Sequence, residues 1–244
     1  MLLSVIVPAF NEAATIKKTL TDFLSFLSKQ NYDFEIIVIN DCSTDDTKNE
    51  LADLAKEQNK IKILDNEFNL GKGASVRKGL LAAAGDYALF TDADNASSID
   101  HLITAWPFIE KKYDIIIGTR SKKDAAEARQ AVPQASWKRN WGSLGNYIIR
   151  NLLVKNIWDT QCGFKIFSQD AVKKIIAQTK TNRWALDVEI LALAQRHNCQ
   201  IAIIPIRWVN RADSRVKIKG YFIMLGEILK IKYNLLANKY RLDK

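Results

Sequence analysis

The chain has 244 residues, 48% of them apolar, enough for one globular domain with a substantial core. Its three cysteines, Cys42, Cys162 and Cys199, are odd in number, widely spaced and form no CxxC pair; they argue against a disulfide scaffold or zinc site, and two histidines argue against a His-rich metal centre. The net charge of +9 is uneven: residues 1–100 carry 10 Lys/Arg against 16 Asp/Glu and residues 101–244 carry 26 against 11, so the second half either faces an anionic partner or is a solvated basic surface.

MLLSVIVPAF lacks a basic n-region and meets Pro8 too early for a signal peptide, so no targeting signal is expected. No uncharged apolar stretch reaches ~18 residues, so no transmembrane helix is expected. Leu2–Val7 predicts a buried strand. Asn11 can cap a helix over residues 12–29, where Ile16, Leu20, Phe23, Leu24 and Leu27 recur at helical spacing. Phe34–Ile39 predicts a second strand, Thr44 caps a helix through Gln58, and Ile61–Leu64 predicts a third strand. GKGASVRKGLLAAAG reads as a helix opened by glycine and closed by Gly85. Tyr87–Thr91 and Ile115–Gly118 predict two more strands, with a helix near Ser98–Lys111 between them.

After Arg120, SKKDAAEARQAVPQAS is polar and alanine-rich and predicts a mobile loop. A helix is expected over Trp137–Val154, a short strand over Phe164–Phe167 and a helix over Trp184–Arg196. Ile201–Val209 predicts a strand near a sheet edge, because Pro205 interrupts it. The lysine-studded apolar segment Lys219–Tyr240 predicts an amphipathic helix, set apart at residues 219–244 from a catalytic domain over 1–218. Its apolar side meets either a membrane interface or the core. Apolar strands alternating with helices indicate an α/β fold, with a mostly parallel sheet covered on both faces. Ligands of such sheets bind beyond the carboxyl ends of the strands.

Three polar clusters stand at those ends: Pro8-Ala9-Phe10-Asn11-Glu12, Asn40-Asp41-Cys42-Ser43-Thr44-Asp45 and Asp92-Ala93-Asp94. Alternating residues on an extended backbone point the same way, so the carboxylates of Asp92 and Asp94 could share one hard cation, Mg²⁺ or Mn²⁺, with phosphate oxygens. An acidic turn after a strand would read the same. Taken together, PAFNE, NDCSTDDT, NLGKGASVRKG, TDADNAS and GTR resemble family-2 glycosyltransferases of the GT-A fold in order and spacing. WDTQCGFKIF followed by NRWALDVEIL is similar to the dolichyl-phosphate β-glucosyltransferases, the branch next to the mannosyltransferases.

That resemblance implies inverting transfer of glucose from UDP-glucose to a polyprenyl phosphate. It implies that Pro8, Phe10 and Glu12 flank the nucleoside, that Asp41 accepts from the uracil N–H, and that Lys72 and Arg77 reach the donor. Asp92 and Asp94 would contact sugar, diphosphate and metal, with Asp94 the stronger ligand. Arg120, Arg139 and Arg215 would hold donor and acceptor phosphates, and Asp159 would lie on the substrate side, whereas Cys162 reads best as a small buried hydrophobe. Asp187, near the start of the helix after Trp184, either touches the sugar hydroxyls on the substrate side or caps and pairs within its helix. Two departures stand out: the family's Asp-Asp-Gly-Ser is Asn40-Asp41-Cys42-Ser43 here, and Ala96 replaces the glutamine of the mannosyltransferases.

A lipid phosphate is largely dianionic at neutral pH, so such an acceptor needs cations to hold it and no general base. Guanidinium forks suit that task better than lysines. The expected setting is the cytoplasmic face of a membrane, with a separate membrane-anchor protein as a possible partner. Alternatives are a GDP-mannose donor, a saccharide acceptor and a non-catalytic polyanion binder. No aromatic–basic interleaving points to nucleic acid, and acids at three strand ends do not serve a polyanion binder.

Overall fold

The computed structural model describes residues 1–130, 145–209 and 218–240. Its strands are β1 (Leu2–Ala9), β2 (Asp33–Asn40), β3 (Ile61–Asp65), β4 (Tyr87–Thr91), β5 (Ile115–Thr119), β6 (Arg129–Gln130), β7 (Phe164–Ser168), β8 (Ile201–Pro205) and β9 (Arg207–Trp208). The helices are α1 (Ile16–Leu27), α2 (Thr47–Glu57), α3 (Lys72–Ala82), α4 (Leu102–Glu110), α5 (145–152), α6 (Gln169–Ile175), α7 (Leu186–Arg196) and α8 (Ile218–Leu236).

Among the described residues the main sheet has seven strands in the order β3-β2-β1-β4-β7-β5-β8. All neighbours are parallel except at β7, which runs antiparallel to both β4 and β5. This one reversal decides where the site's groups lie. The carboxyl ends of the parallel strands define one rim of the sheet, and the Thr91–Phe164 register brings the amino end of β7 to that same rim. Residues 159–163, which precede β7, therefore join residues that follow β1, β2, β4 and β5. The edge position expected for the Pro205 strand holds: β8 closes the sheet, and the chain resumes after Ile206 as β9, paired with β6.

Alternation along the strands splits the core in two. Leu3, Val5 and Val7 of β1 pack with α1, α2 and α4 on one face, and Ile6 packs with α3, α6, α7 and α8 on the other. Covering both faces explains why the strands read as unbroken apolar runs.

Several expected boundaries shift for local reasons. Asn11 does not cap α1: it sits at φ 56°, its Oδ1 accepts from the Thr44 amide, and the Glu12 carbonyl takes the amides of Thr15 and Ile16 instead. The helix expected to begin at Thr44 begins at Thr47, whose amide is bound by Asp45 Oδ1. The described part of the expected mobile loop is anchored, because Asp124 accepts from the Thr119 hydroxyl and from the amides of Trp158 and Asp159. Of the helix expected over Trp137–Val154, residues 145–152 are described and helical.

The C-terminal helix packs on the core. Met224, Ile228, Ile231 and Leu235, at helical spacing, are buried in the same cluster as Ile6 and Phe90. Glu227 accepts from the Ala185 amide, and Tyr240 donates to Glu189. Residues 224–240 of the expected C-terminal segment thus pack against residues of the expected catalytic domain. The opposite side of α8 leaves Phe222, Ile223, Leu229, Tyr233 and Leu236 exposed.

Candidate active site

The site is built from the ends of β4 and β2. After β4, Ala93 turns into the core while Asp92 and Asp94 stay half-buried at the rim. Asp92 Oδ1 lies 2.6 Å from Lys72 Nζ, contributed by the first turn of α3. Burial on its own would lower the Lys72 pKa, but Asp92, Asp187 and Asp94 hold it above the ordinary lysine value. Asp94 Oδ1 accepts from the Ala96 amide at 2.9 Å, and Ala96 is itself buried.

Gly163 backs the other side of Asp92. A Cβ at Gly163 would come within 2.0 Å of Asp92 Oδ2, so only glycine lets the backbone ahead of β7 lie against that carboxylate. This is how the DTQCGFK segment meets the Asp-x-Asp turn.

Asp41 follows β2 and is buried. Its Oδ1 accepts from the Leu70 amide and Asn66 Nδ2, and its Oδ2 from the Gly71 amide. A carboxylate has about four acceptor positions, so Oδ2 keeps room for a further donor. Asp41 thus shapes the loop that opens α3. Gly71 sits there at φ 94°, a conformation that a side chain would strain, with the Asn182 carbonyl against it. Within the Asn40-Asp41-Cys42-Ser43 turn, the two changed positions differ in their local setting. Asn40 uses its amide to donate to Asp65 Oδ1 at 2.7 Å, where an aspartate would oppose a second carboxylate. Cys42 sits at φ 58°, the left-handed conformation that the missing glycine would adopt freely.

The remaining expected residues divide clearly. Pro8, Phe10 and Glu12 do lie beside the Asp41 turn, since Asn11 binds Ser43 and Thr44 and the Glu12 amide donates to Thr47. The Arg77 guanidinium donates to the carbonyls of Thr179 and Thr181 and to Asn182 Oδ1. It braces the 179–182 segment. Arg120 follows β5 and forms a two-point pair with Asp159: Nε to Oδ2 at 2.7 Å and Nη2 to Oδ1 at 2.8 Å. Burial disfavours charge on both groups, yet the pair wins, holding Asp159 below the usual carboxylate range and Arg120 above its own. Cys162 is fully buried, and burial pushes its thiol up to about 11, as fits a small hydrophobe. Asp187 pairs with Lys165 at 2.6 Å. Its neighbour Glu189 is fully buried on the amides of Lys180 and Thr181. Arg139 and Arg215 lie outside the described residues; the segments carrying them follow β6 and β9, which are paired.

Lys165, Gly163 and Asp124 are the groups that sequence reasoning missed. Lys165 and Gly163 were visible inside DTQCGFK, and a lysine within an apolar strand was the available signal. Asp124 had none.

Asp92 and Asp94 fit an oxygen-liganded divalent cation: both are carboxylates, both are half-buried, and Ala93 turns away between them. Among the described residues no group of three or more His, Cys, Asp or Glu could cage a metal. A cation here would take its remaining ligands from a diphosphate and water, as Mg²⁺ commonly does.

Residues 4–176 match the sequence pattern of glycosyl transferase family 2. The chain belongs to that family. Similar family-2 relatives are the dolichyl-phosphate β-glucosyltransferases of Saccharomyces cerevisiae, 37% identical over 99% of this chain and 77% of the relative, and of Homo sapiens, 28% identical over 99% and 78%. A Trichomonas vaginalis enzyme of the same name is 33% identical over 94% and 72%. Among solved structures, the fold resembles Mycobacterium tuberculosis glucosyl-3-phosphoglycerate synthase in complex with Mn²⁺, UDP-glucose and phosphoglyceric acid. That likeness has a TM-score of 0.65 and 17% identity over 94% of this chain and 79% of that one. The Pyrobaculum calidifontis mannosyltransferase in complex with GDP-mannose and Mn²⁺ has a TM-score of 0.60 at 15% identity, over 99% and 65%. The family-2 chain described here therefore has the GT-A architecture its motifs imply.

Proposed function

We propose that this family-2 enzyme transfers glucose, with inversion, from UDP-glucose to a polyprenyl phosphate of the dolichyl type. The observation that carries the reading is the meeting, on one rim, of Asp94, the Asp92–Lys72 pair and the Asp41-held loop. The names of its relatives favour glucose and dolichyl phosphate, and a UDP-glucose complex with Mn²⁺ among its structural neighbours favours that donor and cation.

In this reading an acceptor phosphate oxygen attacks the anomeric carbon from the face opposite the diphosphate. The carbon–oxygen bond to the β-phosphate breaks, and UDP departs with the electron pair. Asp94 and Asp92 would hold Mg²⁺ or Mn²⁺, which supplies charge neutralisation at the leaving diphosphate. Lys72, kept charged by its acidic neighbours, adds a second positive group beside it. Asp41 positions the loop 69–71 and keeps an acceptor site for the base. Because the acceptor is already anionic, no residue has to remove a proton.

Among the described residues no helix is long and apolar enough to cross a membrane. The outward side of α8 exposes Phe222, Leu229, Tyr233 and Leu236 at helical spacing with Lys230 and Lys239 beside them, and in this reading it meets the cytoplasmic face of the bilayer. A separate anchor protein would add to that attachment.

A transfer assay with radiolabelled UDP-glucose and GDP-mannose, polyprenyl phosphates and vesicles, with and without EDTA, tests the whole reading. Lipid-linked glucose that disappears with EDTA and returns with Mn²⁺ is expected. Preference for GDP-mannose, or glucose placed on a saccharide, overturns it.

A further inference from the structure

We infer that Lys165 is a positioning residue for glycosyl transfer, whose buried ammonium fixes Asp187 and the Cys162–Gly163 backbone and, through them, the Asp92–Lys72 pair. The inference rests on the donor chemistry proposed at Asp92 and Asp94. Lys165 lies mid-strand in β7, opposite Phe90 of β4 and Ile117 of β5, at the centre of the sheet. Its flanking residues Phe164, Ile166 and Phe167 are fully buried, and so is Lys165 itself. A group without exposed surface cannot touch a substrate and acts only through its partners.

It has two. Nζ donates to Asp187 Oδ1 at 2.6 Å and to the Cys162 carbonyl at 2.5 Å. Both lead to Asp92. The Cys162 carbonyl precedes Gly163, whose backbone lies against Asp92 Oδ2. Asp187 acts electrostatically on Lys72, which grips Asp92 Oδ1 at 2.6 Å. Direct contacts thus run from Asp187 through Lys165 and the Cys162–Gly163 backbone to Asp92 and on to Lys72, and the field of Asp187 at Lys72 links the two ends. This path joins the DTQCGFK and RWALDVE segments to the Asp-x-Asp turn. Packing does not require it, because well-packed apolar residues generally replace a buried ion pair at little or no loss. An unpaired partner left behind is another matter, and that asymmetry makes the role testable.

The test is a double-mutant cycle in the full chain: Lys165→Met, Asp187→Asn, and both together. Each variant is measured by thermal melting, by steady-state transfer from UDP-glucose, and by calorimetric titration with UDP and Mn²⁺. K165M alone is expected to lower the melting temperature and to cut kcat about 100-fold, the scale of an ångström's misplacement at a reacting centre. Adding D187N is expected to restore the melting temperature, since no uncompensated charge remains, while kcat stays low and KM for UDP-glucose changes by less than about 3-fold. UDP binding should persist in the double variant. If kcat recovers together with the melting temperature, the pair is structural only and the inference falls. Should K165M fail to fold, D187N and the double variant decide: wild-type kcat in both overturns the inference, and reduced kcat in a stable protein supports it. Absence of glucose transfer by the wild-type protein is a different result, which overturns the functional reading and removes the basis of this one.

Discussion

On the β3-β2-β1-β4 side of the sheet, each candidate site residue follows the carboxyl end of a strand. Asp41 directly follows β2, Asp92 directly follows β4, and Lys72 opens the helix after β3. On the β7-β5-β8 side the groups form buried ion pairs. Arg120, just after β5, is held by Asp159, 39 residues later, and Asp159 is held in turn by Asp124. Lys165 in β7 is satisfied by Asp187. The first side repeats parallel βα units, in which strand end and site coincide. The second contains a reversed strand, so the residues before it, not after it, reach the rim. Rossmann-like order places these groups at the carboxyl ends of their strands, and a single antiparallel strand brings the residues before it to the same rim.

The largest effect is expected where the two sides meet. Asp94→Ala should reduce transfer about 1000-fold, the scale of losing a cation's stabilisation of the leaving group, with the melting temperature nearly unchanged; retained activity removes the metal-based mechanism. Next comes the long-range pair. Asp159→Asn leaves the Arg120 guanidinium short of its partner in a largely buried setting and should destabilise the fold by about 3 kcal/mol in denaturant titrations. The pH dependence has a definite sign. Asp159 is held below its ordinary range, so the unfolded chain takes up the proton first. Its contribution is therefore complete above about pH 4 and is lost as pH falls toward the folded-state value. The D159N variant should lack that part of the acid-side slope, and an unchanged slope would mean that Arg120 and Asp159 are not coupled. The smallest effect belongs to the locally built side. Cys42→Gly relieves a left-handed non-glycine residue and gains chain entropy in the unfolded state, leaving a net stabilisation of about 0.5 kcal/mol. A loss of more than that in thermal melts would show that the thiol's contact with the Glu67 carbonyl outweighs the strain.

The same contrast explains what was legible beforehand. The strand runs, the α/β class and the three acidic strand ends could be read directly, because a strand buried on both faces has to be apolar and its polar terminus therefore stands out. For Arg77 the sequence is silent on its partners, because a basic residue one turn into a helix looks the same whether it faces a ligand or a neighbouring loop. Only the position of residues 179–182 distinguishes the two cases. Lys165 was quoted within a motif without being given a task, since nothing local indicates which carboxylate will meet a buried ammonium.

Periodicity and strand-end chemistry, both set by short-range geometry, determined the fold class, the family and the acidic strand ends. Tertiary structure alone decided the rest: that β7 runs backward between β4 and β5, that Gly163 lies against Asp92, and that α8 turns one side to the core. Each depends on the register and direction of segments far apart in the chain, and these are fixed by packing and by satisfying buried charge, which no window of neighbouring residues contains.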